Sequence, residues 1–107
     1  MIDTTILRRL SDTIVARKQA DPATSYVASL FGKGHAAILE KVAEESAETL
    51  LASKDGDKLH IVRETAELWF HCLVLLAWHG LTSDDVLSEL RRREGISGVD
   101  EKATRGK

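Results

Sequence analysis

Lys41-Val42-Ala43-Glu44-Glu45-Ser46-Ala47-Glu48 is answered further along the chain by Arg63-Glu64-Thr65-Ala66-Glu67. Both stretches have helical spacing. At 3.6 residues per turn, Glu44, Glu45 and Glu48 fall within about 100° of one another on a wheel, and Glu64 and Glu67, at i and i+3, share a face. Lys54-Asp55-Gly56-Asp57 between them makes a tight connection. Counting outward from Gly56, Glu48 and Glu64 each lie 8 residues away, and Glu45 and Glu67 each lie 11. An antiparallel fold-back therefore sets Glu48 opposite Glu64 and Glu45 opposite Glu67, roughly 12 and 16 Å from the turn at 1.5 Å per residue.

Four converging carboxylates repel one another unless a cation or shared protons compensate. An all-oxygen set suits a hard divalent ion, Mg²⁺ or Mn²⁺, and Mg²⁺ keeps waters that meet substrate phosphates. The residues thus predict a metal-dependent site for a phosphorylated substrate where the carboxylates of Glu45, Glu48, Glu64 and Glu67 converge.

The rest of the chain predicts an all-α domain over residues 1–95 with a tail, partly ordered or flexible, over 96–107. With 107 residues, 43% of them hydrophobic and 30% charged, it has the size and composition of one soluble globular domain. A net charge of −2 gives no case for nucleic-acid binding. The single cysteine, Cys72, allows no internal disulfide and no cysteine-based zinc site, and reads as a buried inert thiol. The apolar run Cys72–Trp78 is too short to span a bilayer, and no N-terminal signal pattern appears, so the cytoplasm is the expected compartment.

A first helix is expected over 3–19, where Ile6, Leu7, Leu10, Ile14 and Val15 recur at helical spacing, ended by Asp21-Pro22. Thr24 or Ser25 caps a short second helix that stops at Gly32-Lys33-Gly34. The third runs from about His35 to Lys54. Its apolar half holds Ile38, Leu39, Val42, Ala43, Ala47 and Leu50; Lys41, Glu44 and Glu48 lie opposite, and Glu45 sits at the seam. The fourth, Lys58 to His79, is apolar nearly all round in its second half, with His60, Glu64, Glu67 and His71 as a narrow polar stripe. One small chain can hardly cover such a helix, which argues for a homodimer. His71 reads as an orienting or packing histidine. Thr82 or Ser83 caps a fifth helix ending in Arg91-Arg92-Arg93, and a further helical turn is expected near 99–103.

Glu44-Glu45-x-x-Glu48 followed by Glu64-x-x-Glu67 resembles the acidic signature of the MazG-like all-α nucleoside triphosphate pyrophosphohydrolases. Ser25-Tyr26, Lys41-Val42-x-Glu44-Glu45, Ala52-x-Lys54-Asp55, Glu67-Leu68-x-x-His71 and Gly80-Leu81-x-x-Asp84-Asp85 narrow the resemblance to the phosphoribosyl-ATP pyrophosphatases within that superfamily. The resemblance implies a four- to five-helix bundle with an antiparallel hairpin at its core, assembled as a dimer with Mg²⁺. It further implies hydrolysis of 1-(5-phosphoribosyl)-ATP to the AMP derivative and pyrophosphate, the second step of histidine biosynthesis, by metal-activated water. Glu45, Glu48, Glu64 and Glu67 are then the metal ligands; Glu44 or Glu45 takes the proton; Lys41, Lys33, Arg91 and Arg92 are candidates to hold phosphate charge. Glu67 stands where the family usually carries Asp, which lengthens that arm by about 1.5 Å. A cyclohydrolase that acts on the product is often fused in this family and needs a cysteine set; with one cysteine, only the pyrophosphate-releasing step is expected here. Two rival readings remain open at this point. A MazG-like housekeeping enzyme for free nucleoside triphosphates uses the same quartet. A non-catalytic helical interaction module predicts no metal binding and a monomer exposing Trp69 or Trp78.

Overall fold

The computed structural model describes residues 1–96 together with Gly98, Val99 and Lys102. Five helices follow one another, with no strand among the described residues: α1 (Ile6–Arg17), α2 (Tyr26–Lys33), α3 (His35–Asp55), α4 (Lys58–Trp78) and α5 (Ser83–Arg93). The all-α architecture expected from the sequence is the one observed. Gly98, Val99 and Lys102 are helical; the rest of the turn expected near 99–103, and most of the tail, lie outside the described residues.

Local chemistry sets the boundaries. Ser25 caps α2 by accepting from the Ala28 N–H at 3.2 Å, and Asp57 caps α4 by accepting from the His60 N–H at 3.2 Å. The Asp85 carboxylate accepts from the Thr82 N–H at 2.8 Å at the start of α5. α3 ends on Gly56 at φ +75°, a conformation in which a side chain is strained, and this turns the chain back within two residues. α4 ends in a Schellman arrangement: Gly80, also at φ +75°, lets the Leu81 N–H reach the Leu76 carbonyl at 2.8 Å and the Gly80 N–H reach that of Ala77 at 3.1 Å. α1 is shorter than its periodicity suggests. Asp3 accepts from the Thr5 N–H at 3.0 Å, so the first residues form a turn, and the last ones leave the helix before Pro22.

The hairpin α3–α4 is the most extensively packed pair, and α1 and α2 close over one end of it. The core sits at that end: Ile14 of α1, Val27 and Leu30 of α2, Ile38 of α3, and Leu73, Val74 and Ala77 of α4. α5 packs chiefly on α1. The other end of the hairpin, nearest Gly56, projects from the bundle. The apolar half of α3 is mostly exposed. Of that helix only Ile38 and Ala52 are buried, while Leu39, Ala43, Ala47 and Leu50 are exposed, Leu50 to 72%. Across the turn, Val62 is 65% and Trp69 57% exposed. Near Gly56 the reason is geometric: two helices of 21 residues, each about 31 Å long, outreach the much shorter α1 and α2 that cover them. Cys72 is half-buried and free, and burial pushes its thiol above the ordinary value. No helix among the described residues is long and apolar enough to cross a membrane.

Candidate active site

The acidic site is built where the middle turns of α3 and α4 face each other. Its position follows from the wheel. Glu45 lies at the seam between the apolar and polar halves of α3, so it points toward α4 and is half-buried; Glu44 and Glu48, on the polar half, are exposed. Glu45 hydrogen-bonds Glu64 and lies close to Glu67, residues on successive turns of α4. Side-chain atoms of Glu45, Glu67 and His71 come within 4.8 Å of one another. Glu64 also approaches the His60 imidazole, with Oε1 3.4 Å from Nε2. Counting about Gly56 sets Glu64 against Glu48; in the structure the hydrogen bond of Glu64 is to Glu45.

The electrostatics of this cluster follow from its crowding. Burial, then the hydrogen bond to Glu64, then the negative charge of Glu64 and Glu67, push the Glu45 carboxyl above its ordinary value. The carboxylates crowd one another, so the charged form of Glu45 is disfavoured where they meet. The additional methylene of Glu67 does not keep it from the cluster: its carboxylate stands 3.9 Å from His71 Nδ1.

His71 is 2% exposed, and both its ring nitrogens have protein partners. Nδ1 is 2.8 Å from the Glu67 main-chain oxygen and Nε2 is 2.8 Å from the Tyr26 hydroxyl. With Glu45 and Glu67, His71 forms a group whose side-chain atoms lie close enough together to hold a metal ion. Tyr26 received no role from the sequence beyond its place in a family motif. The only sequence-level signal for it is that it follows the Ser25 cap; its contact with a residue on α4 has no periodicity to announce it.

On the rim, Lys41 Nζ bonds Glu44 Oε2 at 3.1 Å, and that bond raises the lysine above its ordinary value, with Tyr26, Glu44 and Glu45 adding to the effect. Lys33 is exposed at the last turn of α2. Arg91 and Arg92 are on α5. Arg91 lines a shallow surface depression with Arg8 and Asp84, and Arg92 forms a two-pronged pair with Glu89, Nη2 to Oε1 at 2.7 Å and Nε to Oε2 at 3.0 Å.

A family model described as phosphoribosyl-ATP pyrophosphohydrolase matches residues 7–94, a span that contains all five helices except the first residue of α1, and with them the whole acidic cluster. The chain belongs to the phosphoribosyl-ATP pyrophosphohydrolase family. It is 69% identical over 105 residues to a Nitrosospira multiformis protein named phosphoribosyl-ATP pyrophosphatase, covering 98% of this chain and 87% of that one. A Chromobacterium violaceum protein of the same name is 66% identical over 100 residues, 94% of this chain and 93% of its own length. One from Azoarcus sp. is 59% identical over 105 residues, 98% of each. The likeness therefore runs the length of the domain and is not confined to the acidic motif.

Proposed function

We propose that this chain hydrolyses 1-(5-phosphoribosyl)-ATP to 1-(5-phosphoribosyl)-AMP and pyrophosphate, the second step of histidine biosynthesis, with Mg²⁺ as cofactor and Mn²⁺ as a substitute. The observation that carries this reading is the convergence of Glu45, Glu64 and Glu67 on the α3–α4 hairpin in a member of that family. Glu45, Glu64 and Glu67 hold the cation, and Glu48, one turn nearer the hairpin loop, adds a carboxylate from the rim. When bound, a divalent cation offsets the negative charge of the phosphates and acidifies water beside them. Glu45 or the adjacent Glu44, whichever is not fully engaged with the cation, accepts the proton of the attacking water. Lys41 and Lys33, with Arg91 and Arg92 from α5, take the remaining phosphate charge.

The working unit is a homodimer in the cytoplasm, with neither nucleic acid nor membrane as a partner. The apolar side chains left exposed on the hairpin support the dimer: Leu50 is 72%, Val62 65%, Leu59 60% and Trp69 57% exposed. The test is pyrophosphate release from phosphoribosyl-ATP in Mg²⁺, in EDTA, and by the Glu48→Gln and Glu67→Gln variants, with dUTP and ATP as competing substrates. Turnover of phosphoribosyl-ATP well above the other two, abolished by EDTA and by Glu67→Gln, is expected. Undiminished turnover in EDTA, or preference for dUTP, overturns the reading.

A further inference from the structure

The Tyr26–His71 pair has no part in the mechanism above, yet its geometry fixes the polarity of one group at the edge of the site. The Glu67 main-chain oxygen, 2.8 Å from His71 Nδ1, can only accept, so Nδ1 carries the hydrogen. In the neutral imidazole Nε2 is then the lone-pair nitrogen, and the Tyr26 hydroxyl 2.8 Å away donates its single hydrogen to it. With the imidazole 2% exposed, no water competes for either bond. The phenol itself is half in solvent, at 50% exposure, and the charged groups that act on it are Lys41, Glu67, Glu45 and Glu44. Its ring is held by the edge of His71 at 5.7 Å and by stacking on Phe70 at 6.3 Å. A hydroxyl whose hydrogen is committed to a buried acceptor offers only lone pairs to everything else. Free to turn, that hydroxyl would donate to the nearest carboxylate and occupy a lone pair that a cation requires.

We infer that Tyr26 is a hydrogen-bond acceptor in the acidic site, receiving a hydrogen from water held beside Glu45 and Glu67, and that His71 is a positioning residue that sets this polarity and is not itself a metal ligand. His71 lies near enough to Glu45 and Glu67 for ligation, but to bind an ion it has to give up Tyr26 or the Glu67 carbonyl. The inference rests on the hydrolytic reading for its consequence and on the two hydrogen bonds for its substance.

Two measurements that do not pass through turnover test it. In ¹⁵N-histidine NMR spectra, His71 is expected as the Nδ1–H tautomer both without metal and with Mg²⁺; an Nε2–H tautomer, or a metal-induced shift typical of direct coordination, overturns the assignment. In Mn²⁺ titrations, Tyr26→Phe is expected to weaken binding about 10- to 100-fold, the usual effect of losing a group that orders a metal's surroundings. His71→Asn, which lacks an acceptor at the Nε2 position, should weaken it to a similar extent. His71→Gln, which restores an acceptor there, should rescue it, and Tyr26→Phe with His71→Asn should be no worse than either alone. Mn²⁺ affinity unchanged in Tyr26→Phe sinks the proposal, and that variant keeps the test open should the histidine variants fold poorly. A wild type that binds Mn²⁺ as described but releases no pyrophosphate retires the substrate reading alone; a Tyr26→Phe variant with wild-type affinity and turnover retires this inference alone.

Discussion

Replacing Glu45 by Gln separates the cost of the acidic cluster from its use. Glu45 and Glu67 place side-chain atoms within 4.8 Å of one another. Two unit charges at that distance repel by about 0.9 kcal/mol in bulk water and about 3.5 kcal/mol at an effective dielectric constant of 20. Glu45 is half-buried and Glu67 mostly exposed, so the working value lies toward the lower end, about 1–2 kcal/mol. The Glu45→Gln substitution removes one charge, and the amide it introduces can still donate to Glu64. In EDTA at pH 7 the variant is therefore expected to be more stable than the wild type by about 1 kcal/mol, a rise in Tm of roughly 4–8 °C for a domain of this size. Saturating Mg²⁺ reverses the order, because a ligand bound only by the folded state at a hundred times its Kd stabilises by about 2.7 kcal/mol and the variant has lost a donor. The pH dependence has a definite sign. The folded-state value of Glu45 is raised above the ordinary 4.5, so the metal-free wild type is penalised at pH values above the raised value. That penalty disappears as the pH falls toward 4.5, where the wild type and the variant converge. Thermal melts by circular dichroism, run in EDTA and in Mg²⁺ across this pH range, read all three effects. A variant less stable than the wild type in EDTA, or curves that do not cross on adding Mg²⁺, would refute the idea that the carboxylates are crowded for the sake of a cation.

Three further outcomes are expected. Trp69→Glu, at a residue 57% exposed on α4, should shift the protein from dimer to monomer in sedimentation velocity; a wild type that sediments as a monomer refutes the dimer directly. Gly56→Ala, at φ +75° with open space around the added methyl, should cost about 1 kcal/mol in denaturant melts purely through backbone strain, and a neutral result contradicts the left-handed cap. Glu89, held down to about 2 chiefly by its hydrogen bond to Arg92, should titrate near that value in carboxyl NMR. Its pairing contributes above the ordinary 4.5 and is lost as the pH falls toward 2, and a titration near 4.5 would show the pair absent in solution.

Where acid residues lie along a helix is a property of the sequence, because about 100° per residue turns spacing into a face. Glu45 at the seam of α3 and Glu64 and Glu67 on one stripe of α4 were legible for that reason, as were the cap at Thr24 or Ser25 and the turn around Gly56, whose chemistry is local; that Asp57 caps α4 was not read from the sequence. The all-helical class followed from the same periodicity. The partner of each side chain across the hairpin was not legible. Glu45, Glu48, Glu64 and Glu67 are symmetric about Gly56 in number, but Glu64 bonds Glu45 while Glu48 faces solvent, because rotation about the α3 axis, and not distance from the turn, chooses which carboxylate points inward. Nor could spacing decide that Leu50 stays exposed; that depends on how far α1 and α2 reach along the hairpin. The bond from Tyr26 to His71 joins residues 45 apart in sequence. Only the packing of α2 against α4 turns a buried histidine's lone pair into the anchor of a phenol beside the acids.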